Sequence, residues 1–316
     1  MTWRSIIISK PARLSILNKQ VKIEQKEVIT VPLEDIAIIV IESPEVLFTQ
    51  PFLVSLADYG ITLLTCNDSH LPNGQWLSLL PHSRQTKIVR YQIMMSEPLK
   101  KRLWQRVIVS KITNQAQHLD YLSQISDAYH LKQLAETVKS GDPDNYESQA
   151  AMRYFSTIFG KTFSRRYSIT VNNLLNYGYA IIRGAVARSL VSYGFLPVFG
   201  IHHDNEQNAF NLADDLIEPW RPWVDMAITQ WFAEDMNNIN QNASLKDSGT
   251  RRALTVEDKQ RLVSLLHHQA IICSEKTTLL TAINRMVASF QTATLKKQPQ
   301  LLQLPELCPL IWHQYE

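Results

Sequence analysis

The chain is 316 residues long, 45% hydrophobic, and carries a formal net charge of +3 with three cysteines. That length allows roughly two domains of about 100–200 residues and a proper buried core. The mild charge does not by itself single out a polyanion partner, and Cys66, Cys273 and Cys308 have no paired spacing, which argues against a disulfide framework or a thiolate zinc knuckle.

The N-terminal stretch MTWRSIIISKPAR has a brief apolar run but no small-residue cleavage site, so no secretory signal is expected. Leu14 and Ile16, then Val21 and Ile23, alternate with polar neighbours around Asn18-Lys19, which predicts a hairpin. Residues 36–41, IAIIVI, read as a buried strand and are too short to cross a membrane. A helix is expected over 46–59, stopped by Gly60, followed by strands over 61–65 and 76–80 with a turn at Asn73-Gly74. No glycine-rich phosphate loop follows any of these strands, so a dinucleotide fold and a Walker-type ATPase are both set aside.

Polar, basic residues 81–91 are the expected linker. Beyond them the period is helical: 98–122, 145–159, 173–193, 221–236, 255–266 and 275–295, with Thr255 and Asp258 spaced as a capping box. Residues 237–249 read as a polar loop, and the tail after Lys297 is irregular. The resulting expectation is an α+β protein. It has a small N-terminal β-rich domain (1–80), the linker (81–91) and a larger all-α domain (92–316), placed in a reducing cytoplasm with no membrane association.

Two features point to chemistry. In the helix around Tyr146, Ala150, Ala151, Tyr154, Phe155 and Ile158 share one face, and Glu147 lies on that stripe. A carboxylate facing a core needs a partner or a cation, while one in the first turn could instead face solvent and gain from the helix dipole. The second feature is residues 200–222, GIHHDNEQNAFNLADDLIEPWRP. Its tandem histidines point in different directions, so at most one ligates, and His202 is assigned a structural role. Leu212, Ala213, Leu216, Ile217 and Trp220 form a buried stripe, with Asp214, Asp215 and Glu218 projecting elsewhere. Pro219 requires either a kink or a new helix start. A solvated acidic face is the plain alternative for these carboxylates. Taken together, a core-facing glutamate, an imidazole in apolar surroundings and a carboxylate cluster suit Mg2+ or Mn2+ better than structural zinc. The basic residues from Arg84 to Lys111 admit two readings, a solvated helix face or a phosphate-contacting surface.

On the pattern E…H…(D)xxE-P-x-R-P, the NYESQAAMRYF helix and the GYAIIRGAVAR segment, the chain resembles the CRISPR-associated integrases that insert spacers into the repeat array, closest to the type II branch. The resemblance implies Glu147, His203 and Glu218 as catalytic metal ligands, Asp215 as a supporting acid, and Arg221 near the nucleic-acid path. It also implies a β domain that pairs two protomers into a homodimer, and two such dimers bridged by a small adaptation partner into a heterohexamer. The type II effector nuclease is a further expected partner. The substrates would be double-stranded protospacer DNA with 3′-OH ends and the CRISPR repeat, joined by transesterification. Lys100, Lys101, Arg102, Arg165 and Arg166 are the further expected DNA contacts. A generic metal-dependent nuclease and a non-catalytic DNA-binding assembly subunit are the competing readings.

Overall fold

The structure, a computed structural model, describes residues 4–68, 70–78, 82–167, 169–232 and 252–313. Its N-terminal part is built from two four-stranded sheets. One contains β1 (Arg4–Ile8), β5 (Ile36–Ile41), β7 (Thr62–Cys66) and β8 (Pro72–Trp76), in that spatial order. The other runs β4 (Val28–Pro32), β3 (Gln20–Glu24), β2 (Ala12–Leu17), β6 (Val46–Phe48). β2 and β3 form the expected hairpin, with Asn18 and Lys19 both at positive φ (50° and 59°), as a tight two-residue turn requires.

Three local expectations change. The helix expected from residue 46 starts later, as α1 (Gln50–Asp58), because Val46–Phe48 pairs in parallel with β2. Pro51 fits a first turn but not a helix interior. The strand expected over 76–80 lies earlier, as β8, so Asn73-Gly74 sits within a strand rather than at its turn. Gly74 faces Thr65, and a Cβ there would lie 2.3 Å from Thr65 Oγ1, so any side chain at this position would force that hydroxyl to turn away. Finally, most of the expected linker is α2 (Gln85–Ile93), a docked helix. Its buried Ile88 and Gln92 are one turn apart, and the Gln92 amide donates to the carbonyls of Leu196 (2.8 Å) and Phe199 (2.9 Å).

The two regions share β5. Its Ile36, Ile39 and Ile41 pack with Phe52 and Leu56 in the N-terminal core, while Ala37, Ile38 and Val40 join the helical core. A buried ion pair between Glu42, just after β5, and Lys259 ties the regions together. The Arg188 guanidinium adds a 2.6 Å hydrogen bond to the Gly60 carbonyl.

The helical region comprises α3 (Glu97–Tyr121), α4 (Ile125–Thr137), α5 (Tyr146–Phe159), α6 (Thr170–Ser192), α7 (Asn211–Ile217), α8 (Arg221–Trp231), α9 (Val256–Ser264) and α10 (Leu279–Lys296). The Thr255–Asp258 capping box is present at the start of α9. The α+β class stands, but this region is not all-α. β9 (Gln269–Ile272) pairs with β10 (Glu275–Thr278) and with β11 (Pro305–Glu306). Cys273 and Ser274, both at positive φ, turn the chain tightly between β9 and β10, so the helix expected from residue 275 begins at Leu279. The expected loop 237–249 lies outside the described residues, and the helix expected to reach Met236 ends at Trp231, with Phe232 as its C-cap.

Candidate active site

α5 delivers Glu147 from its first turn. Asn145, in the left-handed region, caps the helix by accepting from Ser148 N, and the Asp142 carboxylate accepts the N–H groups of Tyr146 and Glu147 at 2.9 Å each. Below this turn Ala150, Tyr154 and Ile158 are buried, while Ala151 and Phe155 are half-buried. The two sequence readings of Glu147 therefore combine. It stands in the first turn and also points inward, with its side chain 32% exposed and Oε1 2.5 Å from Lys111 Nζ.

The histidine loop is organised by Asp215, which is fully buried on α7. Its Oδ2 accepts the N–H groups of Ile201 (2.6 Å) and His202 (3.1 Å). Its Oδ1 accepts from His203 N (3.0 Å) and His203 Nδ1 (2.7 Å). This carboxylate thus anchors the histidine loop through four hydrogen bonds. Gly200 makes the close approach possible, since a Cβ there would sit 2.3 Å from His203 O and 2.7 Å from Asp215 Oδ2. The hydrogen bond that His203 donates to Asp215 raises the His203 pKa above its ordinary value, with burial opposing. With Nδ1–H committed to Asp215, Nε2 is the nitrogen left for ligation. His202 instead stacks on Trp104 with centroids 4.0 Å apart and planes 3° from parallel, a structural position. Burial lowers its pKa, with Asp215 opposing.

Glu218 opens a 3₁₀ turn (Glu218–Trp220) between α7 and α8, and it keeps helical dihedrals (φ −52°, ψ −45°) despite Pro219. The chain therefore neither breaks nor starts a wholly separate helix at the proline; it tightens for one turn. Trp220 and Trp223, both completely buried, fix that turn to the core. Glu218 is 5% exposed. Burial would raise its pKa, but Arg221 and Lys111 outweigh it and hold the group at about 2. Arg221 Nε donates to Glu218 Oε1 at 2.8 Å.

Lys111 lies between the two glutamates, touching Glu147 Oε1 and Glu218 Oε2. Desolvation works to lower its pKa, but the two carboxylates carry it above the ordinary lysine value. Sequence reasoning placed Lys111 in a basic surface cluster; the structure buries it on α3. The signal was legible, because Trp104, Val107, Ile108, Lys111, Gln115 and His118 fall on one buried helix face.

Among the described residues, no group of three or more His, Cys, Asp and Glu side chains is gathered tightly enough to hold a cation in this conformation. The donor set nonetheless fits one. The carboxylates of Glu147 and Glu218 already meet on one cation, the Lys111 ammonium, and carboxylate oxygens with an imidazole nitrogen are the donors that Mg2+ or Mn2+ takes.

The expected DNA contacts divide. Lys101 and Arg102 are exposed near the start of α3, and Lys100 is paired with Glu97 at 3.0 Å. Arg106, from the same basic run, turns inward to the Leu302 carbonyl (2.9 Å). Arg166 is exposed. Arg165, Arg183 and Arg221 line one cavity of about 260 Å3 together with Asn176, Tyr179 and Asp214. Arg221 lies over the Tyr179 ring at 4.6 Å and Arg165 at 5.5 Å. Arg165 donates to the neutral amide oxygens of Asn172 (2.7 Å) and Asn176 (2.6 Å), and Arg183 reaches Asp214 only at 3.7 Å.

Behind this cavity runs a polar network that sequence reasoning missed. The Tyr179 and Tyr154 hydroxyls both donate to Asp225, Tyr154 at 3.1 Å, and Tyr154 also meets His118 Nδ1 at 2.6 Å. Burial holds His118 neutral, with its pKa down to about 3. Burial likewise pushes Asp225 up to about 6, with the tyrosine hydroxyls opposing. The folded state thus binds the Asp225 proton more tightly than the unfolded chain. This group's contribution is fully present below pH about 4 and is lost as pH rises through about 6. Asp225→Asn is expected to remove up to about 3 kcal/mol of that pH dependence. The check is the difference between the wild-type and variant curves of unfolding free energy from pH 4 to 7; parallel curves would contradict it.

Residues 6–268 match the family model described as CRISPR associated protein Cas1. A CRISPR-associated endonuclease Cas1 of Neisseria meningitidis serogroup C (strain 8013) is 45% identical over the full length of both chains. Among solved structures, a casposase bound to integration product superposes with a TM-score of 0.74 at 18% identity, covering 94% of this chain and 91% of that one. A Cas6-RT-Cas1–Cas2 complex gives a TM-score of 0.70 at 19% identity, covering 96% of this chain and 36% of that chain. No described helix is long and apolar enough to cross a membrane.

Proposed function

This chain belongs to the Cas1 family of CRISPR-associated proteins, and on that footing we propose that it is a divalent-metal-dependent DNA endonuclease and integrase of CRISPR adaptation. The observation that carries the reading is the meeting of Glu147 and Glu218 on one buried positive charge, beside an imidazole held by Asp215. Glu147, His203 and Glu218 would hold Mg2+ or Mn2+. Bound there, the ion would polarise a phosphate oxygen and offset the charge that develops on it.

The reaction is a transesterification. The 3′-OH of a protospacer fragment forms a new bond to a phosphorus at the repeat boundary, the original P–O bond breaks, and the departing 3′ oxygen gains a proton. Asp215 fixes the His203 tautomer and holds its ring, which leaves Nε2 as the nitrogen free to ligate. The cavity lined by Arg165, Arg183 and Arg221 would seat backbone phosphates next to Glu218. Exposed Lys101, Arg102 and Arg166, with Lys100, would extend that track. The assembly that suits this work is a homodimer through the β-rich region, bridged by a small partner into a heterohexamer. Cas2 is the partner named in one structural neighbour. Recruitment by the type II effector nuclease belongs to the same proposal.

The test is a strand-transfer assay with a 3′-OH fragment and a repeat duplex, in Mn2+ and in chelator. Metal-dependent branched products are expected. Nicking without joining would favour a plain nuclease, and neither activity would favour an assembly subunit. For the phosphate track, Arg183→Ala and Arg165→Ala are each expected to lower the slope of log K against log salt by about 0.7–0.9, read by fluorescence anisotropy. An unchanged slope would remove those side chains from the DNA path.

A further inference from the structure

Lys111 places an ammonium where a cation shared by two acidic side chains would go. It rises from the middle of α3, is 7% exposed at its side chain, and touches Glu147 Oε1 and Glu218 Oε2 together. Arg221 covers the other Glu218 oxygen at 2.8 Å. Two carboxylates, one ammonium and one guanidinium leave this group neutral as it stands. Without Lys111, the two carboxylates would repel each other in a poorly hydrated pocket, and α5 and the 3₁₀ turn would be driven apart.

We infer that Lys111 is an internal counter-cation: it holds Glu147 and Glu218 together in the metal-free protein and competes with a divalent ion for the same oxygens. The inference rests on the metal reading above. A dication entering this group must share the carboxylate oxygens with the ammonium or push it aside. The lysine therefore preorganises the site and weakens its metal affinity at the same time. Removing the charge while keeping the bulk, by Lys111→Met, reverses both effects.

The experiment titrates Mn2+ into the full-length, DNA-free protein and follows the free-ion EPR signal, with melting temperatures measured in chelator and in Mn2+. Lys111→Met is expected to bind Mn2+ at least about tenfold more tightly than wild type. It should melt lower in chelator and gain more from the metal. Recovery of a folded variant only when Mn2+ is present also supports the inference, whereas equal or weaker Mn2+ affinity in a folded variant overturns it. A measurement on the wild type covers a variant that folds in neither condition. Acetylation of the Lys111 amine, followed by mass spectrometry, should be slow in chelator and faster in saturating Mn2+; equal rates overturn the inference. Glu147→Gln separates the two levels of the argument. If it binds Mn2+ as wild type does, the metal reading fails. If it loses Mn2+ while Lys111→Met changes nothing, only the role of Lys111 fails.

Discussion

Asp215→Ala is expected to cost about 3–5 kcal/mol of stability and to lower DNA joining by at least about a hundredfold. The wild-type carboxylate is fully buried and receives three backbone N–H groups and one imidazole N–H. Alanine leaves those donors facing a void at about 1–3 kcal/mol for each one that water cannot reach. It also frees the His203 ring to rotate and exchange tautomers. Denaturant unfolding measures the first effect and strand transfer the second. Asp215→Asn should fall between wild type and alanine, because it keeps one acceptor oxygen and turns an NH2 group toward the remaining donors. A stable, fully active alanine variant would show that the loop holds His203 without this anchor.

Glu218→Gln is expected to cost about 3–5 kcal/mol and to cut joining at least about a thousandfold, near 4 kcal/mol of transition-state stabilisation. Its carboxylate is 5% exposed and is shared by Lys111 and Arg221. An amide of the same shape cannot neutralise either one, so buried Lys111 keeps only Glu147 and half-buried Arg221 loses its paired carboxylate. DNA binding should persist or strengthen, since Arg221 is released toward the phosphate cavity. Anisotropy and strand transfer measured on the same preparation separate these outcomes. Joining at the wild-type rate would remove Glu218 from the reacting centre.

What could be read from the sequence is what local chemistry specifies. The Asn18-Lys19 hairpin, the Ile36–Ile41 strand and the Thr255–Asp258 capping box each depend on a few neighbouring residues, and all are present. Glu147 stood out as a carboxylate on an apolar stripe, while His203 and Glu218 were singled out from their crowded segment by the family resemblance; the fold brings both glutamates to Lys111 and sets His203 on Asp215. Contacts made over long sequence distances were the harder part. Lys111 reads as one more member of a basic run until its helix face is compared with Trp104 and Gln115. Asp225 gains meaning only when Tyr154 and Tyr179 arrive from α5 and α6. α2 looked like a linker because its exposed basic face outnumbers the pair that docks it, Ile88 and Gln92. The small β9–β10–β11 sheet needs a partner strand more than thirty residues away, which no local pattern announces.

Asn114, three residues past Lys111 on α3, donates from Nδ2 to the carbonyls of Pro219 (3.0 Å) and Pro305 (3.1 Å), and its Oδ1 accepts from Leu307 N (3.0 Å). One amide therefore fastens the carboxylate turn and the C-terminal strand to the same rung of a helix. Cutting the chain ahead of Pro305 would leave that amide with a single protein partner and slacken the Glu218 turn, far from the cut in sequence and adjacent to it in space. Anything that grips or strips residues 305–307 would thus be felt at the Glu218 turn, so this short stretch serves as its tether.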